Sequence, residues 1–207
     1  MHSSIISIAK ILNMTKSLVS VGLSNDYSFD VSQASDYLDN LILNSESEPI
    51  FAGILLMEKE GDVYSVIDGS QRITTLCLLL FALSQCYKGT SKKNEDAGRK
   101  IVERFLLENK SVKLKLRGDD SVVYEKIILS KDLNDSDKES PLYKAYMAFF
   151  NKIVERKITA NKMFQIISTI KFMLVITDKT EISARDLYQV VNSNKETQIN
   201  LIADFVA

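Results

Sequence analysis

A chain of 207 residues that is 45% hydrophobic can bury one substantial core, so we expect a globular domain, or a domain with a helical subdomain. Because 26 basic residues nearly balance 27 acidic ones, no overall positive field attracts nucleic acid, and direct DNA binding is not predicted. The two cysteines lack a C-x-x-C spacing and the single histidine is His2, which argues against a zinc site and a Cys/His catalytic pair.

The sequence indicates neither secretion nor membrane insertion. Its first residues lack the basic segment of a secretory signal, and Lys10 and Asn13 interrupt the early apolar positions. The longest apolar run, residues 76–83, is far shorter than the roughly 20 residues that a membrane-spanning helix needs. We therefore expect a cytoplasmic protein without membrane contact.

Apolar residues at helical spacing predict two helices near the N-terminus. The first would cover residues 4–19. The second would end near residue 44, and either Ser32 or Ser35 would cap its start.

A hairpin and a strongly apolar helix follow. The run over residues 50–57 predicts a buried strand, residues 58–62 a turn, and residues 63–67 the partner strand. Residues 73–87 predict a helix, which is apolar on every side over residues 76–83. A surface helix would show a polar face, so we expect other elements to enclose this one.

The corner between the second strand and this helix is the strongest candidate site. Gly69 and Ser70 would present backbone N–H groups to an anion such as phosphate, because the start of a helix carries unpaired donors and the positive end of its dipole. Arg72 would add a fixed charge. In the alternative interpretation, Asp68, Ser70 and Gln71 only cap the helix and Arg72 pairs with a neighbouring carboxylate.

The rest of the chain is mainly helical. Residues 88–98 predict a flexible linker. Strands are predicted over residues 112–116, with one basic edge, and over residues 172–177; the region 131–140 is predicted as a charged loop. The predicted helices lie around residues 101–106 and over residues 122–129, 141–154, 160–171 and 184–191.

Three segments carry a family resemblance. Asp-Gly-Ser-Gln-Arg-Ile-Thr-Thr-Leu at residues 68–76 resembles the signature D-G-Q-Q-R-x-T-T-L of the GmrSD-type family, with Ser70 in place of a Gln. Residues 114–118 and 187–193 resemble further family segments, and Asn192 in the latter could contribute to a site or simply end a helix. The family's upstream Gln-Arg, which precedes an aromatic pair, has no counterpart before residue 27.

The resemblance implies an α+β fold: a small mixed sheet with helices, similar to ParB and sulfiredoxin, over residues 1–88. A mainly helical subdomain over residues 98–207 would pack on it and be truncated at its C-terminus. The implied function is nucleotide binding, and hydrolysis of a nucleoside triphosphate with Mg²⁺, in a defence system that restricts modified phage DNA.

The resemblance also implies roles for the residues of the corner. Asp68 would orient water or bind Mg²⁺, Arg72 would act with it in catalysis, and Thr74 and Thr75 would offer hydroxyls. The implied nucleotide-binding residues are Gly69, Ser70, Gln71, Arg72, Thr74 and Thr75.

The implied partners follow from what the chain lacks. Longer members carry a His-Asn-His-type nuclease domain, and this chain has no histidine beyond His2, so we expect a separate nuclease subunit or domain as a partner. A homo-oligomer is also compatible with the sequence. The alternative function is a non-enzymatic regulatory or protein-interaction domain that keeps the fold without catalysis.

Overall fold

The computed structural model describes residues 2–20, 27–44, 50–157 and 159–178. The strands are β1 (His2–Ser7), β2 (Ser17–Ser20), β3 (Phe51–Glu60), β4 (Val63–Asp68), β5 (Leu107–Glu108), β6 (Ser111–Val112), β7 (Leu114–Lys115) and β8 (Lys171–Asp178). The helices are α1 (Ile8–Met14), α2 (Val31–Asn44), α3 (Ser70–Gln85), α4 (Lys92–Ile101), α5 (Gly118–Ile128), α6 (Asp135–Glu139), α7 (Pro141–Glu155) and α8 (Ala160–Thr169). A π-helical turn (Val102–Leu106) continues α4.

One mixed sheet of six strands organises the fold, in the order β1-β8-β3-β4-β2-β7. β3 and β4 form the predicted antiparallel hairpin, and β8 enters between β1 and β3. β2 lies parallel to both β4 and β7, so the carboxyl ends of these three strands share one edge of the sheet. The predicted α+β class and mixed sheet are confirmed, and α3 and α5 both begin at this shared edge.

α3 is enclosed as predicted. Its side chains are buried without interruption from Ile73 to Ser84. The helix packs against α4, α7 and α8. Because fully burying a large apolar side chain stabilises by about 1.5–3 kcal/mol, this helix anchors the core. Cys77 is buried within it, and both Cys77 and Cys86 are free thiols.

The predicted helix over residues 4–19 is wrong. That stretch forms β1, α1 and β2, because Ser7 accepts a hydrogen bond from the Lys10 amide and starts α1 only there. Before it, Ile5 is exposed and Ile6 is buried, as expected of a strand that pairs with β8. Apolar residues of three short elements happen to fall at helical spacing.

The predicted start of α2 is also corrected. Neither Ser32 nor Ser35 caps the helix. Asp30 does so, because its carboxylate accepts a 2.7 Å bond from the Gln33 amide while the Gln33 side chain accepts from the Asp30 amide. This reciprocal pair is a capping box.

Two predicted irregular segments contain helices. Residues 88–98 include the start of α4, which Ser91 caps by accepting from the Asn94 amide, so most of the predicted linker is helical. The predicted loop over residues 131–140 contains α6. Short polar helices of this kind lack the apolar periodicity on which the prediction relied.

Other helix and strand predictions are confirmed. Pro141 is the first residue of α7, and α5, α8 and β8 fall within a few residues of their predicted bounds. The predicted helix over residues 184–191 and Asn192 lie outside the described residues. The division into two domains stays a prediction; β7 and β8, from the second, pair with strands of the first.

The predicted strand with a basic edge at residues 112–116 is wrong at Lys113. Its side chain is 5% exposed, and its ammonium group donates to the carbonyl oxygens of Leu12 (2.9 Å) and Arg104 (2.8 Å). Burial lowers the pKa of Lys113, and the Glu108 carboxylate at 4.0 Å opposes that effect. The lysine therefore joins the end of α1 to the π-helical turn.

We expect the Lys113→Met substitution to lower the free energy of unfolding by about 1–3 kcal/mol, because it leaves two inward-facing carbonyl oxygens without their donor. Urea unfolding followed by circular dichroism measures this change. Lys115→Met is the control, because Lys115 is exposed on the same segment and its loss should cost less than about 0.5 kcal/mol. Equal effects of the two substitutions would contradict the assignment.

Candidate functional site

The turn that joins β4 to α3 requires glycine at position 69. Gly69 has φ +88°, a left-handed conformation, and a Cβ atom there would lie 2.8 Å from Leu55 Cδ1 and 3.2 Å from the Ile54 carbonyl oxygen. The absence of a side chain thus lets β3 pass close beneath the start of α3. As a glycine, this N-cap residue supplies no side-chain cap to the helix.

Two irregularities in strand pairing shape the sheet beside this turn. Between β3 and β4, Leu56 pairs with Asp68 and Met57 with Val66, so Ile67 is an extra residue on β4. Between β3 and β8, Phe51 pairs with Lys171 and Ile54 with Met173, so β3 has one extra residue in the stretch between these pairs. Bulges of this kind interrupt the hydrogen-bond ladder and redirect the groups beside them.

The carbonyl groups of the second irregularity bind Arg72. Its Nη1 donates to the carbonyl oxygens of Ile54 (2.7 Å) and Ala52 (3.4 Å), while Nη2 lies 3.5 Å from Asp68 Oδ2. The Arg72 side chain is 39% exposed and that of Asp68 23%. The alternative interpretation was therefore right that Arg72 approaches a carboxylate. Its shortest bonds nevertheless go to main-chain oxygens, and the side chain stays partly exposed.

Ser70 and Gln71 tie the corner to neighbouring segments rather than capping α3. The hydroxyl oxygens of Ser70 and Ser20 lie 2.6 Å apart, which joins the start of α3 to the end of β2. Gln71 Oε1 accepts a 3.3 Å bond from the Ser28 amide. Both residues therefore position the corner, whatever else they bind.

Thr74 and Thr75 lie beneath the corner, not on its surface. They are 1% and 2% exposed, respectively. The Thr75 hydroxyl donates to the Gln71 carbonyl oxygen at 2.8 Å and lies 3.0 Å from the Tyr27 hydroxyl. The predicted contact of these threonines with phosphate stays a prediction, but the structure gives them a supporting position under the first turn.

Sequence reasoning missed Tyr27 and Asp120 at this site. Tyr27 is 5% exposed, and its amide donates to Asp120 Oδ2 at 2.6 Å. The two residues come from distant segments, so no local spacing indicates that they meet. The one available signal was the aromatic pair Tyr27 and Phe29 in a polar stretch.

An aromatic cluster of Tyr27, Phe29 and Tyr37 lies next to the start of α3, to which Tyr27 and Ser28 are hydrogen-bonded. Phe29 lies between the other two rings, 6.2 Å from Tyr27 and 6.0 Å from Tyr37. Burial raises the pKa of Tyr37 to about 12, and the positive charge of Arg72 partly opposes that rise. Phe29 and Tyr37 are partly buried and Tyr27 is buried, so the cluster offers partly exposed aromatic surface near the corner.

Asp68 is the carboxylate of the corner that could meet a metal ion. Among the described residues, no group of three His, Cys, Asp or Glu side chains comes together in a way that could hold one. A hard cation such as Mg²⁺ would therefore take most of its oxygen ligands from a bound phosphate and from water.

The same part of the chain contains no helix long and apolar enough to cross a membrane.

The fold defines a class: an α+β domain whose enclosed helix α3 begins at the carboxyl edge of parallel strands. Residues 25–203 match the family model described as the N-terminal domain of the GmrSD restriction endonuclease. Because the match covers most of the chain, the protein belongs to this family, which indicates a role in a restriction or defence system. A comparison with curated proteins found no match.

We expect Gly53→Ala to displace Arg72. Gly53 has φ +97°, and a Cβ atom there would lie 2.6 Å from Arg72 Nη1. A double-mutant cycle with Arg72→Met, measured by urea unfolding, tests this. The double mutant should lose about 0.5–3 kcal/mol less unfolding free energy than the sum of the two single losses, because either change breaks the same contact.

The control for this cycle is Gly61→Ala. Gly61 also has a positive φ, +59°, but nothing lies within 4 Å of the added Cβ. Its effect should add to that of Arg72→Met to within about 0.5 kcal/mol. Additive behaviour of Gly53→Ala as well would show that the Arg72 contact does not depend on this glycine.

Proposed function

We propose that the corner at residues 68–72 binds the phosphate groups of a nucleoside triphosphate together with Mg²⁺, as part of a GmrSD-type restriction system. One observation carries the proposal: α3 is enclosed along its length but begins at Gly69, which supplies no side-chain cap, next to a partly exposed Arg72. A helix start of this kind favours a negatively charged ligand.

Each residue of the corner has a distinct part in this proposal. The backbone N–H groups of Gly69 and Ser70 would bind phosphate oxygens, as in other anion-binding turns. Arg72, held by the Ile54 carbonyl oxygen, would use its accessible side to neutralise the phosphate charge without having to be ordered first. Asp68 would hold Mg²⁺ or orient a water molecule.

The surroundings of the corner also fit a nucleotide. Phe29 is partly buried between two other rings, and aromatic side chains of this type offer faces for a nucleobase. Hydrolysis would require attack of water on the terminal phosphate, with Asp68 orienting the water and Arg72 stabilising the developing charge. Binding and hydrolysis are separate steps of the proposal and need separate measurements.

A second function is favoured by the contacts of Arg72 itself. Its shortest hydrogen bonds go to β3 carbonyl oxygens, so the residue would be needed for the sheet even without a ligand. On this alternative the domain regulates or recruits a protein partner, such as a separate nuclease subunit, and does not bind nucleotide. A nuclease encoded by the neighbouring gene would indicate a split restriction system but would not choose between the two functions.

The decisive experiment is calorimetric titration with ATP, GTP, CTP and UTP in the presence of Mg²⁺. We expect wild-type protein to bind at least one nucleotide, and Arg72→Ala to weaken that binding at least about tenfold, which corresponds to about 1.4 kcal/mol. Asp68→Asn, a nearly isosteric change, should abolish phosphate release if the site hydrolyses its ligand. Arg99→Ala is the control, because Arg99 is an exposed arginine paired with Asp96, outside the corner.

Two results would reject the nucleotide assignment. The first is a well-folded wild-type protein that binds none of the four nucleotides, which would favour the regulatory function. The second is binding that survives Asp68→Asn and Arg72→Ala together, which would place the ligand elsewhere.

A further inference from the structure

The Tyr27–Ser28 dipeptide connects the first turns of two helices. The Tyr27 amide donates to Asp120 Oδ2 at 2.6 Å, and Asp120 lies in the first turn of α5. The Ser28 amide donates to the Gln71 side chain at 3.3 Å, and the Tyr27 hydroxyl reaches Thr75 at 3.0 Å, both in α3. We call these three contacts the Tyr27 bridge.

In the Tyr27 bridge only the contact between the Tyr27 and Thr75 hydroxyl groups could run in either direction. The Thr75 hydroxyl hydrogen is already donated to the Gln71 carbonyl oxygen, so the Tyr27 hydroxyl must donate to Thr75 Oγ1. Burial raises the pKa of Tyr27, so this hydroxyl keeps its proton across the physiological range. At the other end, the acceptor is a carboxylate, and charge-assisted bonds are the stronger kind.

Sheet topology explains why these two helix starts are close. β4 leads into α3 and β7 leads into α5, and both strands lie parallel to β2, which separates them. The two helices therefore begin on either side of the end of β2. Tyr27 is the first described residue after this strand, and it spans the gap between the helix starts.

We propose that Asp120 and Tyr27 are positioning residues for the corner at residues 68–72. Asp120 acts by holding the backbone of Tyr27. The Tyr27 hydroxyl then supports the first turn of α3 through Thr75, which is bonded to the Gln71 carbonyl oxygen. The same backbone contact keeps Phe29 packed against Tyr37 near the corner. This inference rests on the proposed nucleotide function for its consequence in binding, but the positioning itself has a readout that needs no ligand.

The test compares two adjacent carboxylates. Asp120→Ala removes the acceptor of the Tyr27 amide, whereas Asp119→Ala removes an exposed carboxylate from the same helical turn. Asp120→Asn keeps an oxygen acceptor in place and should restore most of what Asp120→Ala loses. Tyr27→Phe keeps the ring and removes only the bond to Thr75, which provides a second variant if Asp120→Ala folds poorly.

Two quantities are measured on each variant. Amide hydrogen exchange reports the Tyr27 amide and the Ile73 amide, which forms the bond to the Gly69 carbonyl oxygen at the start of α3. Calorimetry reports the Kd of the nucleotide that the wild-type protein binds. For Asp120→Ala we expect at least about tenfold faster exchange at both amides and at least about tenfold weaker nucleotide binding. For Asp119→Ala we expect the wild-type exchange rates and the wild-type Kd.

The outcomes separate this inference from the proposed function. Unchanged exchange in Asp120→Ala, or an equal change in Asp119→Ala, overturns the inference. Faster exchange with unaltered nucleotide affinity also overturns it, because the bridge would then serve stability alone. If wild-type protein binds no nucleotide, the proposed function fails by itself, and faster Ile73 exchange in Asp120→Ala but not in Asp119→Ala still supports positioning of the corner.

Discussion

The enclosure of α3 is the constraint on which the rest of the structure depends. Because α4, α7 and α8 cover the helix, its partly exposed polar side chains lie at its two ends, at Gln71 and Arg72 in the first turn and at Gln85 in the last. A fixed helix start gives a fixed position to the Arg72 guanidinium, which then meets carbonyl oxygens of the irregular stretch of β3. The hydrophobic core thus determines the geometry of the polar corner, and the corner needs few residues of its own.

Local patterns predicted the elements whose determinants are local. The hairpin, α3 and the start of α7 at Pro141 each have their apolar run or breaker within a few residues. Residues 4–19 were misassigned because three short elements mimic one helical period. Lys113 was misassigned because an alternating pattern does not reveal that a lysine side chain can be buried by main-chain acceptors of distant residues.

The candidate site was predictable only where its residues are neighbours in the sequence. Asp68, Gly69 and Arg72 stand together because one turn contains them. The carbonyl oxygens that bind Arg72 belong to a main-chain irregularity, whose single sequence trace is Gly53. The Asp120 contact joins segments far apart in the chain, and such pairings follow from sheet topology rather than from any spacing of residue types.

The place of β8 in the sheet has a consequence for how the protein is made. β8 is the last described strand, yet it lies between β1 and β3, and His2 pairs opposite Ile176. On the ribosome, β1 therefore emerges long before β8, and the two strands can pair only after nearly the whole described chain has been synthesised. Pairings of such long sequence separation form slowly and leave strand edges exposed meanwhile, so the sheet can be completed only after β8 has been synthesised.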